Sequence, residues 1–173
     1  MQFNLEKSIL VLERTPAVLK QLLHGLPEEW ATSNEGPETW SPYDVVGHLI
    51  QGEKKDWIPR TMIILEHGEK QPFTPFDRFA QFEESKGKSL IELLEEFEKL
   101  REKNIVELKG LNITEKDLQK TGMHPGLRQV TLENLLAAWV VHDLGHIHQI
   151  SRVMAKQYKR EVGPWTEYMG VLK

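Results

Sequence analysis

Leu5, Ile9, Leu12, Leu19, Leu23 and Leu26 recur at alternating intervals of four and three residues, and Pro16 takes the one inward position left over. That spacing predicts an amphipathic helix of bundle type. It should be kinked or split near Pro16, because proline removes a backbone donor and its ring collides with the preceding turn. Pro27 closes the segment, and Asn34-Glu35-Gly36-Pro37 reads as a loop. A second helix announces itself at Ser41. The hydroxyl suits the cap, Pro42 the first helical position, and Asp44 the first turn, where an anion meets free N–H groups. It runs through Val45, His48, Leu49 and Gly52 into Trp57, is kinked or ended by Pro59, and its pattern (Met62, Ile63, Leu65) fades at Gly68. Residues 69–85 contain Pro72, Pro75, Phe73, Phe76 and Phe79. A connection of that length is more than a tight turn and points to a crossover or a lid.

The third helix has Ser89 as its cap, with Leu90, Leu93, Leu94, Phe97, Leu100 and Leu108 along one side and Glu and Lys on the other. After Gly110 a polar stretch with Thr121-Gly122 and His124-Pro125-Gly126 reads as a loop or short hairpin. The fourth helix extends from about Thr131 to about Tyr158, Gly163-Pro164 ends it, and Trp165 to Leu172 forms a short amphipathic tail able to pack back. Four long amphipathic segments and no run of strands predict an all-α four-helix bundle, one domain over residues 1–173.

Composition narrows the chemistry. The chain has no cysteine, so any metal must be held by His, Asp or Glu, and any thiol must be carried by a substrate. The net charge of −4 is mild and the charges are interspersed, which leaves no electrostatic footprint for nucleic acid. No apolar run is long enough for a membrane span, and Met1 to Leu12 lacks the pattern of a signal peptide, so a cytoplasmic protein is expected.

The inward seam of the fourth helix reads Leu132, Leu135, Trp139, His142, His146, Gln149, Val153. Residues four apart lie about 40° apart on a helix and one turn apart in height, so His142 and His146 can converge on one ion. His148 stands about 200° around from His146 and points away. A third ligand must come from a neighbouring helix. His48 is the best placed, on the buried side of helix two with Gly52 leaving space one turn later, while Asp44 and Asp56 on nearby turns are partners or further ligands. The competing reading makes all three inert core histidines. The segment His142-Asp143-Leu144-Gly145-His146 invites comparison with the zinc-protease pattern His-Glu-x-x-His. Asp143 is one methylene short of the required glutamate and no distant third ligand follows, which argues against that class. Asp143, Asp44, Asp56, Glu53 and Arg152 are the polar groups on helices two and four available as acid, base, anion anchor or structural charge. Trp139, one turn before His142, is a candidate pocket wall.

Val45-Val46-Gly47-His48-Leu49 shortly after Trp40-Ser41-Pro42, and His142-Asp143-Leu144-Gly145-His146-Ile147-His148-Gln149-Ile150 late in the chain, resemble the DinB/YfiT-like superfamily. Val130-Thr131-Leu132-Glu133 is also similar to the start of that family's last helix. In the family, one histidine on the second helix and a His-x-x-x-His pair on the last long helix bind a divalent metal. The resemblance places those ligands at His48, His142 and His146. It implies an up-down-down-up helix order with a long crossover between helices two and three, and a homodimer. It further implies a metal-dependent enzyme acting on a small-molecule substrate. Some members resemble transferases that take a low-molecular-weight thiol such as bacillithiol or mycothiol as cosubstrate, others hydrolases. Many have no assigned reaction, which keeps a non-catalytic, metal-binding or stress-associated module as the alternative. Imidazole donors do not distinguish zinc, nickel, iron and manganese.

Overall fold

Pro16 divides the first helix into α1 (Leu5–Leu12) and α2 (Thr15–Leu23) in the computed structural model, which describes residues 1–173. A continuous helix would have the nitrogen of residue 16 donate to the carbonyl of Leu12, and proline has no proton to give. That carbonyl accepts instead from Arg101 Nη1 at 2.8 Å. Pro16 is buried, as its seam position requires, whereas Leu26 lies past the last turn and is exposed. A short helix, α3 (Glu28–Thr32), precedes the Asn34–Pro37 loop; at this length no periodicity can show it.

The second long helix is α4 (Pro42–Lys55) followed by α5 (Trp57–Glu66). Its start is a closed capping box: the Asp44 carboxylate accepts from the Ser41 backbone N–H at 2.9 Å, and Ser41 Oγ accepts from the Asp44 N–H at 3.2 Å. The break falls at Asp56 rather than at Pro59, because the proline ring collides with the carbonyl four residues back, which is that of Lys55. The crossover carries α6 (Gln81–Glu84), which lies against α4 where Gly47 has no side chain; a Cβ there would come within 2.5 Å of Ser85 Oγ. The third long helix, α7 (Leu90–Gly110), begins with a second capping box between Ser89 and Glu92. After α8 (Glu115–Leu118) comes an antiparallel hairpin, β1 (Thr121–His124) and β2 (Arg128–Thr131), with Thr121 opposite Thr131 and His124 opposite Arg128. The fourth long helix is α9 (Leu132–Lys156). A last turn, α10 (Lys159–Val162), and two 3-10 stretches return the tail so that Leu172 is buried, while Trp165 stays exposed.

Cross-helix partners give the helix directions. Lys20 pairs with Glu98 and Lys109 with Glu13, so the first helix and α7 run opposite ways. Tyr43 reaches the Lys88 carbonyl and Glu53 meets Arg101, so the second helix and α7 run the same way. His48 and Glu53 meet His142 and Trp139 respectively, which sets α9 against α4. The order is up-down-down-up, with residues 67–89 as the crossover that a parallel second and third helix demands. No helix is long and apolar enough to cross a membrane.

The interior consists of two apolar clusters. One gathers Leu12, Trp57, Ile105, Leu136 and Trp139, the other Leu19, Val45, Leu93, Phe97 and Ile150. Between them lies a layer of buried polar groups. The Arg101 guanidinium sits 5.0 Å from the Phe97 ring of one cluster and 5.1 Å from the Trp139 ring of the other.

The hairpin is seated by Gly122. A Cβ there would fall 2.7 Å from Ile64 Cγ1 and 3.0 Å from two ring atoms of Phe73, and the Phe73 N–H bonds the Met123 carbonyl beside it at 2.9 Å. Gly122→Ala should therefore lower stability by about 1–3 kcal/mol through overpacking. Chemical denaturation with an unchanged slope is the measurement.

Candidate metal centre

The second and fourth helices bring His48, His142 and His146 together, so that one ring nitrogen from each lies within 4.8 Å of the others. His48 Nε2 is 3.2 Å from His142 Nε2, and His142 Nε2 is 3.1 Å from His146 Nε2. The capping box at Ser41 sets where α4 begins and the Thr131–Asn134 box does the same for α9. His148 is exposed on the far side of α9.

The deepest line on α9 differs from the expected seam. Leu132, Leu136, Trp139, Asp143, Ile150 and Val153 are buried, and the line His142, His146, Gln149 runs along their edge with each residue half-buried. The histidines thus border the core and face a cleft rather than filling a leucine position. That cleft, about 500 Å3, is lined by Trp40, Arg78, Gln149 and Arg152 besides the three histidines. A second cleft of about 410 Å3, with Asp56, Arg60, Phe76 and His124 on its walls, reaches His48 and His142 from another direction.

Hydrogen bonding alone leaves the cluster frustrated. Gln149 Oε1 can only accept, so at 2.8 Å it takes the Nδ1 proton of His146 and leaves a bare lone pair on Nε2. His142 Nε2 can act as a donor or an acceptor but not both, so no arrangement of one proton per contact satisfies both short contacts. If His48 donates to His142, the lone pairs of His142 and His146 face each other; if His142 donates to His146, it cannot accept from His48. Nδ1 of His48 and Nδ1 of His142 are buried without a partner. Three nitrogens sharing a tetrahedral ion with bonds of ~2.0–2.1 Å lie ~3.3 Å apart, close to the two short spacings found here, while the third pair lies within 4.8 Å. The donor set fits a divalent cation.

Electrostatics agree with that fit. Burial lowers the His48 imidazole to about 4, helped by the charges of His146 and Arg78. Burial likewise lowers His142 to about 3, with His146, His48 and Arg101 adding to it. His146 is lowered by burial against the opposing pull of Gln149 and Asp143. Burial thus favours the neutral imidazole in all three rings, the form that ligates.

The carboxylates on these helices have structural duties. Asp44 closes the Ser41 cap, and Asp56 pairs with Arg60 at 2.5 Å. Asp143 and Glu53, both fully buried, hold Arg101 at 2.6 and 2.8 Å. The cluster holds no fourth His, Asp or Glu. Arg152 forks onto Glu35 at 2.7 and 3.2 Å, which ties the loop before Trp40 to α9.

Two expectations about aromatic residues and glycine are corrected. Trp139 does not line the cleft: it is wholly buried, stacked on Trp57 at 5.6 Å, and donates from Nε1 to Glu53. The wall is Trp40, 4.8 Å from the His48 ring and parallel to His146. Gly52 makes room for Trp57 rather than for His48, since a Cβ would stand 3.0 Å from Trp57 Nε1. Trp57 in turn sets its ring edge-on to His142 at 5.1 Å. Trp40 carried one legible signal, its place directly before the Ser41 cap; Arg78 and Phe76, on the crossover, carried none.

YfiT from Bacillus subtilis, described as a probable metal-dependent hydrolase with an unusual four-helix bundle topology, is similar in structure with a TM-score of 0.74. The two are 25% identical in sequence, over 92% of this chain and 87% of that one. No curated protein matches the chain. The family model of the DinB superfamily matches residues 11–150, and the chain belongs to that superfamily.

Proposed function

We propose that His48, His142 and His146 hold one divalent transition-metal ion and that the protein is a metal-dependent enzyme acting on a small molecule, with hydrolysis as its reaction. One observation carries the reading: three neutral imidazole nitrogens converge at the floor of an open cleft with no fourth side chain to close the set. Three protein ligands and a free position are the mark of a catalytic rather than a structural site. An ion held there supplies Lewis-acid activation of a nucleophile and of a carbonyl. Gln149 orients the His146 ring, Trp57 and Phe76 confine His142 and His48, and Trp40 shields one side of the cluster from water. The likeness to a probable metal-dependent hydrolase favours water as the nucleophile. A thiol supplied from outside would use the same position, and a panel of ester and amide substrates assayed with and without added thiol separates the two.

Metal analysis of untagged protein is the first test. About one equivalent of a transition metal is expected in the wild type and none in a His142→Ala/His146→Ala variant. A wild type that is metal-free and takes up no zinc, nickel, iron or manganese would overturn the proposal.

A further inference from the structure

The cations around the histidines are committed to carboxylates, with one exception. Arg152 is held by Glu35, Arg60 by Asp56, and Arg101 by Glu53 and Asp143. Arg78 lines the same cleft as all three histidines and makes neither an ion pair nor a hydrogen bond. Its guanidinium lies 5.7 Å from the Trp40 ring and 5.6 Å from the Phe79 ring. Aromatic faces hold such a group by its planar surface and leave its N–H edge free for a forked pair of hydrogen bonds.

The segment bearing Arg78 is anchored on both sides. Phe76 packs edge-on against His48 at 5.5 Å, the Asp77 side chain caps the Phe79 N–H at 2.9 Å, and Gln81 is wholly buried beside Gly47. Trp40 links the two chemistries, since one ring touches both His48 and the guanidinium. Glu38 is the one carboxylate on the cleft and does not pair with Arg78. The cleft therefore has a metal-ligating floor and, across Trp40, a single uncompensated cation with a fork geometry.

We infer that the ligand of this cleft carries a carboxylate, or an anionic group of similar shape, which Arg78 anchors while the ligand's reactive end lies at the histidines. The inference rests on the metal reading above. It adds the class of substrate, a small acid rather than a neutral molecule, and it makes Arg78 the residue that selects for it.

Cobalt-loaded protein titrated with hydroxamates tests this, because hydroxamate binding changes the visible spectrum of the ion. The probes are the succinyl, glutaryl and adipyl monohydroxamates, each paired with the terminal carboxamide of equal length. At least one acid should bind about tenfold more tightly than its amide, the size of effect a charge-assisted pair gives, and added sodium chloride should shrink the gap. Arg78→Gln should abolish the preference and leave the affinity for acetohydroxamate unchanged, which shows the histidine site intact. Arg78→Lys should retain part of it. Equal binding of every acid and its amide, or a preference that survives Arg78→Gln, would overturn the inference while leaving the metal reading standing. A protein that binds no cobalt would overturn the metal reading, and this inference with it.

Discussion

Arg101→Met will destabilise the protein by about 3–5 kcal/mol, the cost of leaving buried charges without their partner. The guanidinium is 1% exposed and touches every helix of the bundle. Its Nη1 donates to the Leu12 carbonyl at 2.8 Å and to Asp143 at 2.6 Å, and its Nη2 to Glu53 at 2.8 Å and Asp143 at 3.1 Å. Asn104, one turn along α7, adds a 3.0 Å bond to the other Glu53 oxygen. Methionine keeps the apolar stem between Phe97 and Trp139 and removes only the fork. Two carboxylates and a helix-end carbonyl are then stranded where water cannot reach. Burial already holds the Glu53 carboxyl above the ordinary carboxylate range, against the opposing pull of Arg101. Without the arginine that upward push meets only the weaker opposition of the Asn104 hydrogen bond.

The sign of the pH effect follows. A carboxyl whose pKa is raised on folding binds more protons in the native state than in the unfolded one, so the Arg101→Met variant should recover stability as pH falls from 8 to 5. The triple variant Arg101→Met/Glu53→Gln/Asp143→Asn should recover most of the loss at all pH values, since it removes the stranded charges themselves. Urea unfolding of the wild type, the Arg101→Met variant, the Glu53→Gln/Asp143→Asn variant and the triple variant closes the cycle and reads this as a coupling energy. A single variant within about 1 kcal/mol of wild type would show that the layer is not the clamp it appears in the structure.

This polar layer also shows where the sequence was legible and where it was not. The four–three spacing that singled out His142 and His146 on α9 also exists on α7, as Leu90, Leu94, Phe97, Arg101, Asn104 and Leu108. Arg101 and Asn104 occupy inward positions there, so the signal was present in the spacing. What the spacing could not show is which carboxylates they meet, because Glu53 and Asp143 come from other helices and are indistinguishable by pattern from solvated charges. The bundle, the helix caps at Ser41 and Ser89 and the break near Pro16 follow from local chemistry and are read directly from residue types. Trp40 and Arg78 reach the site from loops whose paths depend on packing against α4, which no period encodes. On α9 the error was one of phase: Asp143 belongs to the buried line because Arg101 neutralises it, which moves the histidines out to the cleft where a ligand can reach them.

That placement has a thermodynamic consequence for metal and pH together. His48 and His142 fall from an ordinary value of 6.5 to about 4 and about 3, chiefly through burial. A histidine whose pKa falls on folding binds fewer protons in the native state than in the unfolded one. It contributes stability above pH 6.5 that is lost as the pH drops towards its folded value. The histidines of the metal-free protein should therefore cost it stability steadily between pH 6.5 and about 4, a loss offset in part where the raised Glu53 carboxyl takes up its proton. Bound metal adds to the native state alone. At a free concentration a thousand times the dissociation constant the gain is about 4 kcal/mol, and chelation should remove all of it. Because burial lowers all three rings, metal uptake at pH 7 should release few protons, and the affinity should hold better on acidification below pH 6.5. Ordinary histidines would instead shed protons and weaken below about pH 6.5. Thermal unfolding of loaded and chelated protein across this range measures the first effect, and calorimetry in two buffers of different ionisation enthalpy measures the second. Release of about 0.7 proton at pH 7, the total that three ordinary histidines would shed, would mean that the histidines are solvated and partly protonated before the metal arrives, and that the buried, preformed cluster does not exist in solution.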